Sequence, residues 1–330
     1  MTVYASNKLR LMSFVATWAV VCIHSRTDFW NSAAIDWVHN TQRELASLFD
    51  FAVPMFFVIS GFMFVRSYMR YGWLGLLKRK FKSLYVPYVI WSLLAIVLCL
   101  PIRIYQQVGI PSLTSVLGVP FLLVDTVNSG QFWYLRILMI FIAASPLIIF
   151  IAKNKWMAII IMCIVMMIPA ESRLSSHHIP VSVFYFLGGC ILSSSRKCRE
   201  LLENDKFVIS AALIGLICVL CLNVYKDILP FRLFHRLIAP VGVMIVLWAI
   251  TGRGFTILGS FMNSMFFVFC VHMIVITWVS FVVRYFCGTG NLVRILAYFC
   301  LMQTFWADIA IAVIVRRIFP GVYEMLSGGR

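Results

Sequence analysis

The amino-acid sequence predicts an all-α protein that crosses a membrane about ten times. Of its 330 residues, 62% are hydrophobic and only 12% are charged, whereas soluble proteins average about 25% charged residues. The mean hydropathy is +0.95. The apolar runs are long and lack the alternation of a lipid-facing barrel strand. Because only helices and closed barrels satisfy every backbone group in hydrocarbon, the chain is predicted to be a helical membrane protein.

The length of the chain sets the number of spans. At about 20 residues per membrane helix, the 330 residues hold about ten spans and leave no room for a soluble domain. Residues 1–330 are therefore predicted to form a single membrane-embedded domain. The predicted spans are 10–28, 47–66, 83–101, 132–151, 155–170, 179–194, 207–225, 237–252, 257–283 and 292–315.

The basic residues predict the orientation of these spans. With an even number of spans, both termini lie on one side of the membrane. That side carries 18 of the 28 Lys and Arg residues, and the opposite loops carry 10. The positive-inside rule then makes both termini cytoplasmic. This rule and the attraction of basic residues to anionic lipid headgroups explain much of the +16 net charge. No nucleic-acid partner is therefore predicted.

The cysteines do not predict a metal site. Most of the ten lie within predicted spans and show no regular spacing. Cys218 and Cys221 form a CxxC pattern, but on a predicted helix without neighbouring His or acidic residues, which favours packing.

The first apolar run, residues 9–25, carries two ionisable side chains and no charge between them. Arg10 opens the run and His24 stands near its end. A separation of fourteen positions is about 21 Å along a helix axis, and the two side chains lie about 40° apart around it. An ionisable residue within a span is a functional candidate by default. A histidine bonded to a neighbouring carbonyl, or placed at the outer interface, is the structural alternative.

Motifs along nearly the whole chain resemble one family. They are VPMFFVISGF at 53–62, RKFKSLYVPY at 79–88, FWYLRILMIFIAASPLI at 132–148, FYFLGGCIL at 184–192, FFVFCVHMIV at 266–275 and RRIFPGVYEMLSGGR at 316–330. In order and spacing they resemble the acyltransferase 3 family, bacterial integral-membrane enzymes that acylate cell-envelope and secreted glycans. The last motif is similar to the form without an appended esterase-like domain. Ser60–Gly61 in the first motif predicts close helix approach.

The resemblance implies a donor and the residues that bind it. The donor is acyl-CoA, most simply acetyl-CoA, which enters from the cytoplasm. Arg79 and Lys82 stand where the family often has two arginines three positions apart. Thirteen residues separate Arg10 from His24 instead of the family's usual ten. Either Arg10 takes the place of the family's basic residue with this longer spacing, or that residue has no counterpart in this chain. Arg10, Arg79 and Lys82 are therefore the predicted contacts of the donor phosphates.

Acyl transfer needs a base that takes the proton from the accepting hydroxyl, or a nucleophile that carries the acyl group. Histidine suits both roles, and the sequence contains no GxSxG motif that would indicate a serine nucleophile. His24 is the predicted catalytic base. His272, in the late helix, is predicted to assist by orienting the acceptor or holding the tautomer of His24. A packing hydrogen bond is the alternative role of His272.

The acceptor implied by the resemblance is a hydroxyl of a lipid-linked or periplasmic glycan, which places the protein in the bacterial cytoplasmic membrane. The residues predicted to line the outer approach are Asp50, Trp133, Tyr134, Arg136, His177 and His178. A polysaccharide exporter or proton-coupled transporter with intramembrane histidines is the alternative function. Internal repeats and paired broken helices, which are frequent in transporters, are not found in the sequence.

Overall fold

The computed structural model describes residues 3–27, 30, 36–120, 130–168, 178–197, 200, 241–247 and 259–329. Every regular element among these residues is helical, which confirms the predicted all-α class. The α-helices are α1 (Val3–His24), α2 (Trp37–Ser47), α3 (Ala52–Lys80), α4 (Val86–Tyr105), α5 (Leu113–Gly118), α6 (Trp133–Ala143), α7 (Ser145–Lys153), α8 (Lys155–Met166), α9 (Ile179–Ser194), α10 (Met265–Cys287), α11 (Asn291–Met302), α12 (Thr304–Ile318) and α13 (Pro320–Ser327). The predicted span 207–225 lies outside the described residues, and only 241–247 of the span 237–252 is described.

Several of these helices have the length and hydropathy of membrane spans. Within the described residues, three stretches qualify: Trp37–Tyr105, Phe261–Cys287 and Asn291–Ile318. A fourth qualifies if the bent pair Gly130–Ala143 and Ser145–Lys153 is counted as one span. Two apolar helices, α8 and α9, are shorter. The protein therefore carries membrane-type helices, while ten spans and cytoplasmic termini remain predictions.

The predicted fourth span is bent because of a proline. Helices α6 and α7 meet at 76°, and Pro146 lies in the first turn of α7. Proline has no N–H to donate to the carbonyl four residues earlier, which is that of Ile142. The hydroxyl of Ser145 donates to the Ile142 carbonyl instead. The bend is thus stabilised by a side chain that satisfies the backbone group left by the proline.

The chain divides into two compact units. The first comprises Met1–Ala16, Asp50–Lys78 and Ile140–Met262, and the second comprises Thr17–Phe49, Arg79–Met139 and Asn263–Arg330. Helix α1 begins in the first unit and ends in the second. The single membrane domain expected from the sequence stays a prediction.

In the first unit, α3 and α9 cross at two glycines. A Cβ atom on Gly61 would overlap the carbonyl oxygen of Phe186, and one on Gly189 would overlap the carbonyl oxygen of Val58. The thiol of Cys190 donates to the carbonyl of Gly61 at 3.6 Å across the same crossing. The close approach expected at Ser60–Gly61 is therefore found, and Gly189 is its counterpart on α9.

We expect Gly189→Ala to destabilise the first unit by about 1–3 kcal/mol, because the added methyl meets backbone atoms that cannot rotate away. The melting temperature of the purified protein in detergent should fall. Gly188→Ala is the matched control, since a Cβ there meets nothing nearer than the Met162 methyl group at 3.8 Å. Equal melting temperatures for the two variants would contradict the close crossing.

In the second unit, α10 is the central helix. Phe267 on α10 contacts Trp91 of α4 edge-on, with ring centroids 5.0 Å apart, and stacks on Tyr323 of α13 at 5.4 Å. The indole N–H of Trp91 donates to the carbonyl of Leu326 at 3.0 Å. The hydroxyl of Tyr323 donates to that of Ser264, just before α10, at 2.9 Å. Neighbours on several sides thus hold α10, the helix that carries His272.

Candidate active site

The structure brings His24 and His272 together. His24 is the last residue of α1, and His272 lies in the buried face of α10. Their ring centroids are 5.5 Å apart and the ring planes are inclined at 43°. His272 is fully buried, whereas His24 is half-buried. The two histidines predicted from separate motifs are therefore neighbours within the second unit.

The backbone determines which nitrogen of His272 carries the proton. Its Nδ1 lies 2.7 Å from the carbonyl oxygen of Phe269. A carbonyl oxygen only accepts, so in the neutral ring Nδ1 is the protonated nitrogen and Nε2 carries the lone pair. Among the described residues, Nε2 has no hydrogen-bond partner. The packing hydrogen bond expected as the alternative role is thus present, and it leaves Nε2 as an acceptor.

His24 lines a cavity of about 360 Å³ in the second unit. The volume is in the range of small-molecule sites. The cavity lies at the carboxyl-terminal ends of α1, α4 and α10. Its lining residues are Ile23, His24, Arg26, Trp30, Ile102, Gln106, Met273, Ile276, Thr277, Ser280, Phe281 and Arg284. Half of these residues are apolar, and the other half supply the imidazole together with hydroxyl, amide and guanidinium groups.

The cations of this cavity were not predicted as site residues. Arg26 follows His24 by two positions, and Arg284 lies in the last turn of α10. Thr277, Ser280 and Arg284 are three and four positions apart, so they form a polar stripe on one face of an apolar helix. This spacing is a signal in the sequence that could have identified the α10 side of the cavity.

Buried polar contacts hold the chain segment that follows His24. The Thr27 backbone N–H donates to Oε1 of Gln42 at 2.9 Å. The amide of Gln42 donates to the hydroxyl of Thr27 at 2.9 Å and to the carbonyl of Arg294 at 3.0 Å. The indole of Trp30 donates to the hydroxyl of Ser280 at 2.7 Å. Helices α2, α10 and α11 thus restrain the segment at the end of α1, and with it the position of His24.

Comparison with known protein families identifies the family of the chain. The family model for the acyltransferase domain of the acyltransferase 3 family matches residues 7–314. The chain belongs to the acyltransferase 3 family. It is therefore an acyltransferase, as the motifs predicted. No curated protein and no solved structure matches the chain.

Three predicted donor contacts of the acyltransferase are not among the residues that line this cavity. Arg10 is an exposed residue of α1 in the first unit. In the second unit, Arg79 is exposed at the end of α3, and Lys82 is exposed in the π-helical turn Phe81–Tyr85. Arg79 and Lys82 are not among the residues that line the His24 cavity. The donor-binding role of all three remains a proposal.

The described residues among those predicted along the outer approach of the acyltransferase are divided between the two units. Tyr134 is buried, and its ring meets that of Phe269 edge-on at 5.8 Å. Phe269 in turn lies 5.9 Å from the ring of His272, so Tyr134 belongs to the packing behind that histidine. His177 lies outside the described residues, and His178 is an exposed residue before α9. The remaining members, Asp50, Trp133 and Arg136, are not among the lining residues of the His24 cavity.

An ion pair joins Asp36, the residue before α2, to Arg294 of α11. Both guanidinium Nη atoms of Arg294 contact the carboxylate of Asp36, with Nη2 3.2 Å from Oδ1. The Asp36 carboxylate also accepts from the backbone N–H of His39 at 2.8 Å and caps α2. The hydrogen bond from Arg294, and secondly that from His39, lower the pKa of the Asp36 carboxyl below its ordinary value.

We expect this ion pair to make stability depend on acid pH. The pKa of Asp36 is lower in the folded protein than in the unfolded chain, where it is about 3.9. The ionised carboxylate therefore adds its full contribution to the free energy of unfolding above the unfolded-state pKa, and this contribution is lost as the pH falls through the folded-state pKa. Thermal unfolding in detergent from pH 7 to pH 3 measures this. Asp36→Asn keeps a capping side chain and should melt lower than wild type at pH 7, with the difference shrinking below about pH 4. A difference independent of pH would contradict the ion pair.

Proposed function

We propose that this acyltransferase moves an acetyl group from cytoplasmic acetyl-CoA to a hydroxyl of a cell-envelope or exported glycan. The observation that carries the proposal is His24, which lines a cavity of about 360 Å³ and has the ring of His272 beside it, with 5.5 Å between the ring centroids. In this proposal the protein spans the bacterial cytoplasmic membrane ten times, with both termini in the cytoplasm. The acceptor is lipid-linked or periplasmic.

In the proposed reaction, His24 acts as general base. Its imidazole takes the proton of the acceptor hydroxyl, and the oxygen attacks the thioester carbonyl of the donor. The tetrahedral oxyanion then collapses, the carbon–sulfur bond breaks, and the coenzyme A thiolate takes the proton from the His24 imidazolium. The products are the O-acetyl ester and free coenzyme A, and His24 returns to its neutral form.

His272 acts through His24 as a positioning residue. Its Nδ1 is engaged by the Phe269 carbonyl, so Nε2 is the atom able to accept an N–H from a neighbour. Ring centroids 5.5 Å apart leave room for His24 to donate one N–H to this nitrogen. The second nitrogen of His24 then carries the lone pair that takes the proton. This is how a third group orients the base in hydrolytic triads.

The positive charges of two cavity arginines would stabilise the negative charge that develops on the thioester oxygen during acyl transfer. Arg26 and Arg284 line the same cavity as His24, and guanidinium groups stabilise an oxyanion or an anionic acceptor by charge-assisted hydrogen bonds. On the donor side, Arg10, Arg79 and Lys82 stay the proposed contacts for the phosphates of coenzyme A.

The envelope glycan tests the proposal directly. NMR spectra of glycan from cells with and without this protein are recorded before and after mild base, which hydrolyses O-acyl esters. We expect acetyl resonances in cells that make the protein, and we expect mild base to remove them. Cells without the protein should lack them. Unchanged ester content together with glycan retained inside the cell would reject the acyl-transfer proposal and favour the exporter.

A further inference from the structure

A second cavity lies in the first unit, formed by residues of α3, α7 and α9. Its volume is about 530 Å³. Its lining residues are Val65, Arg66, Met69, Arg70, Ile149, Ala152, Lys153, Ser193 and Ser194. Three of these side chains are cations and two are hydroxyls, and the described lining includes no acidic residue. Nothing in the lining itself therefore neutralises the positive charge.

Each of the two arginines has its guanidinium over an aromatic ring. The guanidinium of Arg66 lies over the ring of Phe62 at 5.6 Å, and that of Arg70 lies over the ring of Tyr71 at 5.2 Å. A guanidinium over an aromatic ring keeps its N–H donors, which can bind a phosphate in bidentate fashion. Lys153, at the end of α7, adds a point charge from another helix.

The remaining wall of the cavity is apolar. Ile149 and Ala152 are buried there, and Val65 and Met69 complete it. Cations near the ends of helices complement the helix dipole, but this role requires no cavity. A cavity lined by both cations and apolar side chains fits a phosphate group joined to a larger organic body.

We infer that this cavity binds the phosphate groups of an organic ligand. The identity of that ligand as the nucleotide end of acyl-CoA rests on the proposed function, and it offers a different phosphate site from Arg79 and Lys82. The phosphate site itself does not rest on the proposed function. In the predicted orientation, all three cations belong to the cytoplasmic side, where acyl-CoA is available. The headgroup of an anionic phospholipid offers the same chemistry, and the experiment separates the two sources.

Binding of adenosine 3′,5′-bisphosphate to the purified full-length protein in detergent tests the nucleotide. This probe carries phosphates of coenzyme A without the thioester, so calorimetry measures binding without turnover. We expect Arg66→Gln with Arg70→Gln to weaken binding about a hundred- to ten-thousandfold, because each charge-assisted hydrogen bond contributes about one to two factors of ten and two arginines are replaced. The single variant Lys153→Gln should lose less affinity for the nucleotide. It replaces the double variant as the test if the double variant folds poorly.

The matched control is Lys155→Gln. Lys155 is an exposed cation two positions from Lys153, lies 5.3 Å from the ring of Trp156, and does not line the cavity. Its substitution removes the same charge from the same surface and should leave nucleotide binding unchanged. An equal loss in both variants would show general surface charge and would overturn the inference.

A second experiment tests whether the ligand is an anionic phospholipid. The protein is reconstituted in nanodiscs of phosphatidylcholine with phosphatidylglycerol, and retained phosphatidylglycerol is counted by mass spectrometry. Loss of retained lipid in Arg66→Gln/Arg70→Gln, with nucleotide binding unchanged, would support the phosphate site with lipid as its ligand. If neither readout changes, or if only Arg79→Gln/Lys82→Gln weakens nucleotide binding, the inference is overturned. Neither the nucleotide experiment nor the lipid experiment measures acyl transfer. Their results therefore distinguish a failure of this inference from a failure of the proposed reaction.

Discussion

His24→Gln should nearly abolish acyl transfer while the protein still inserts and folds at wild-type levels. Glutamine keeps a hydrogen-bonding side chain at the end of α1 but cannot take the proton of the acceptor. General base catalysis contributes about 10²–10⁴-fold, and the rate should fall by that factor. Transfer from radiolabelled acetyl-CoA to the acceptor glycan in membranes, normalised to the amount of folded protein, measures the effect.

The control for this experiment is His39→Gln. His39 lies in α2, and its contact with Asp36 uses its backbone N–H, which glutamine retains. This variant should keep wild-type activity. Substantial turnover by well-folded His24→Gln would remove His24 as the base. A loss of yield with normal specific activity would indicate that His24 is a packing residue.

His272→Gln should lower kcat by about 10–100-fold and change KM little, because it removes one hydrogen bond that orients His24 in the transition state. The expected loss is smaller than that of the base itself. The measurement is the same transfer assay at varied acetyl-CoA and acceptor concentrations. A residue that only fills the core would reduce the amount of folded protein and leave both constants of the surviving protein unchanged.

The two histidines should also be non-additive. If His272 acts only through His24, the double variant His24→Gln/His272→Gln transfers acetyl groups no more slowly than His24→Gln alone. Independent contributions would multiply, giving a double variant slower by the product of the two single effects. That result would show that His272 contacts the substrate or serves another step.

The helical class and the position of most helices could be predicted from the sequence because both depend on local properties. Hydropathy over some 20 residues reports whether a segment suits hydrocarbon. Predicted span 179–194 coincides with α9 at Ile179–Ser194, and 83–101 differs from α4 by a few residues. The bend between α6 and α7 was not predicted, although Pro146 is visible in the sequence, because a membrane helix tolerates proline when another group replaces the lost hydrogen bond.

The candidate histidines could also be found from the sequence, since an ionisable side chain within an apolar run is conspicuous. His24 and His272 were singled out separately, each on its own helix. That their rings are 5.5 Å apart depends on how the end of α1 packs against α10. No periodicity within either helix specifies that packing.

Only the tertiary structure decided which cations share a cavity. The resemblance to the family points to Arg79 and Lys82, which are three positions apart in one motif. Arg66, Arg70 and Lys153 come from two helices, and line one cavity because α3 and α7 lie beside each other in the first unit. Charge in a sequence reports which side of a membrane a loop occupies. Whether several charges converge on one ligand depends on the crossing of helices distant in the chain, which is set by packing at positions such as Gly61 and Gly189.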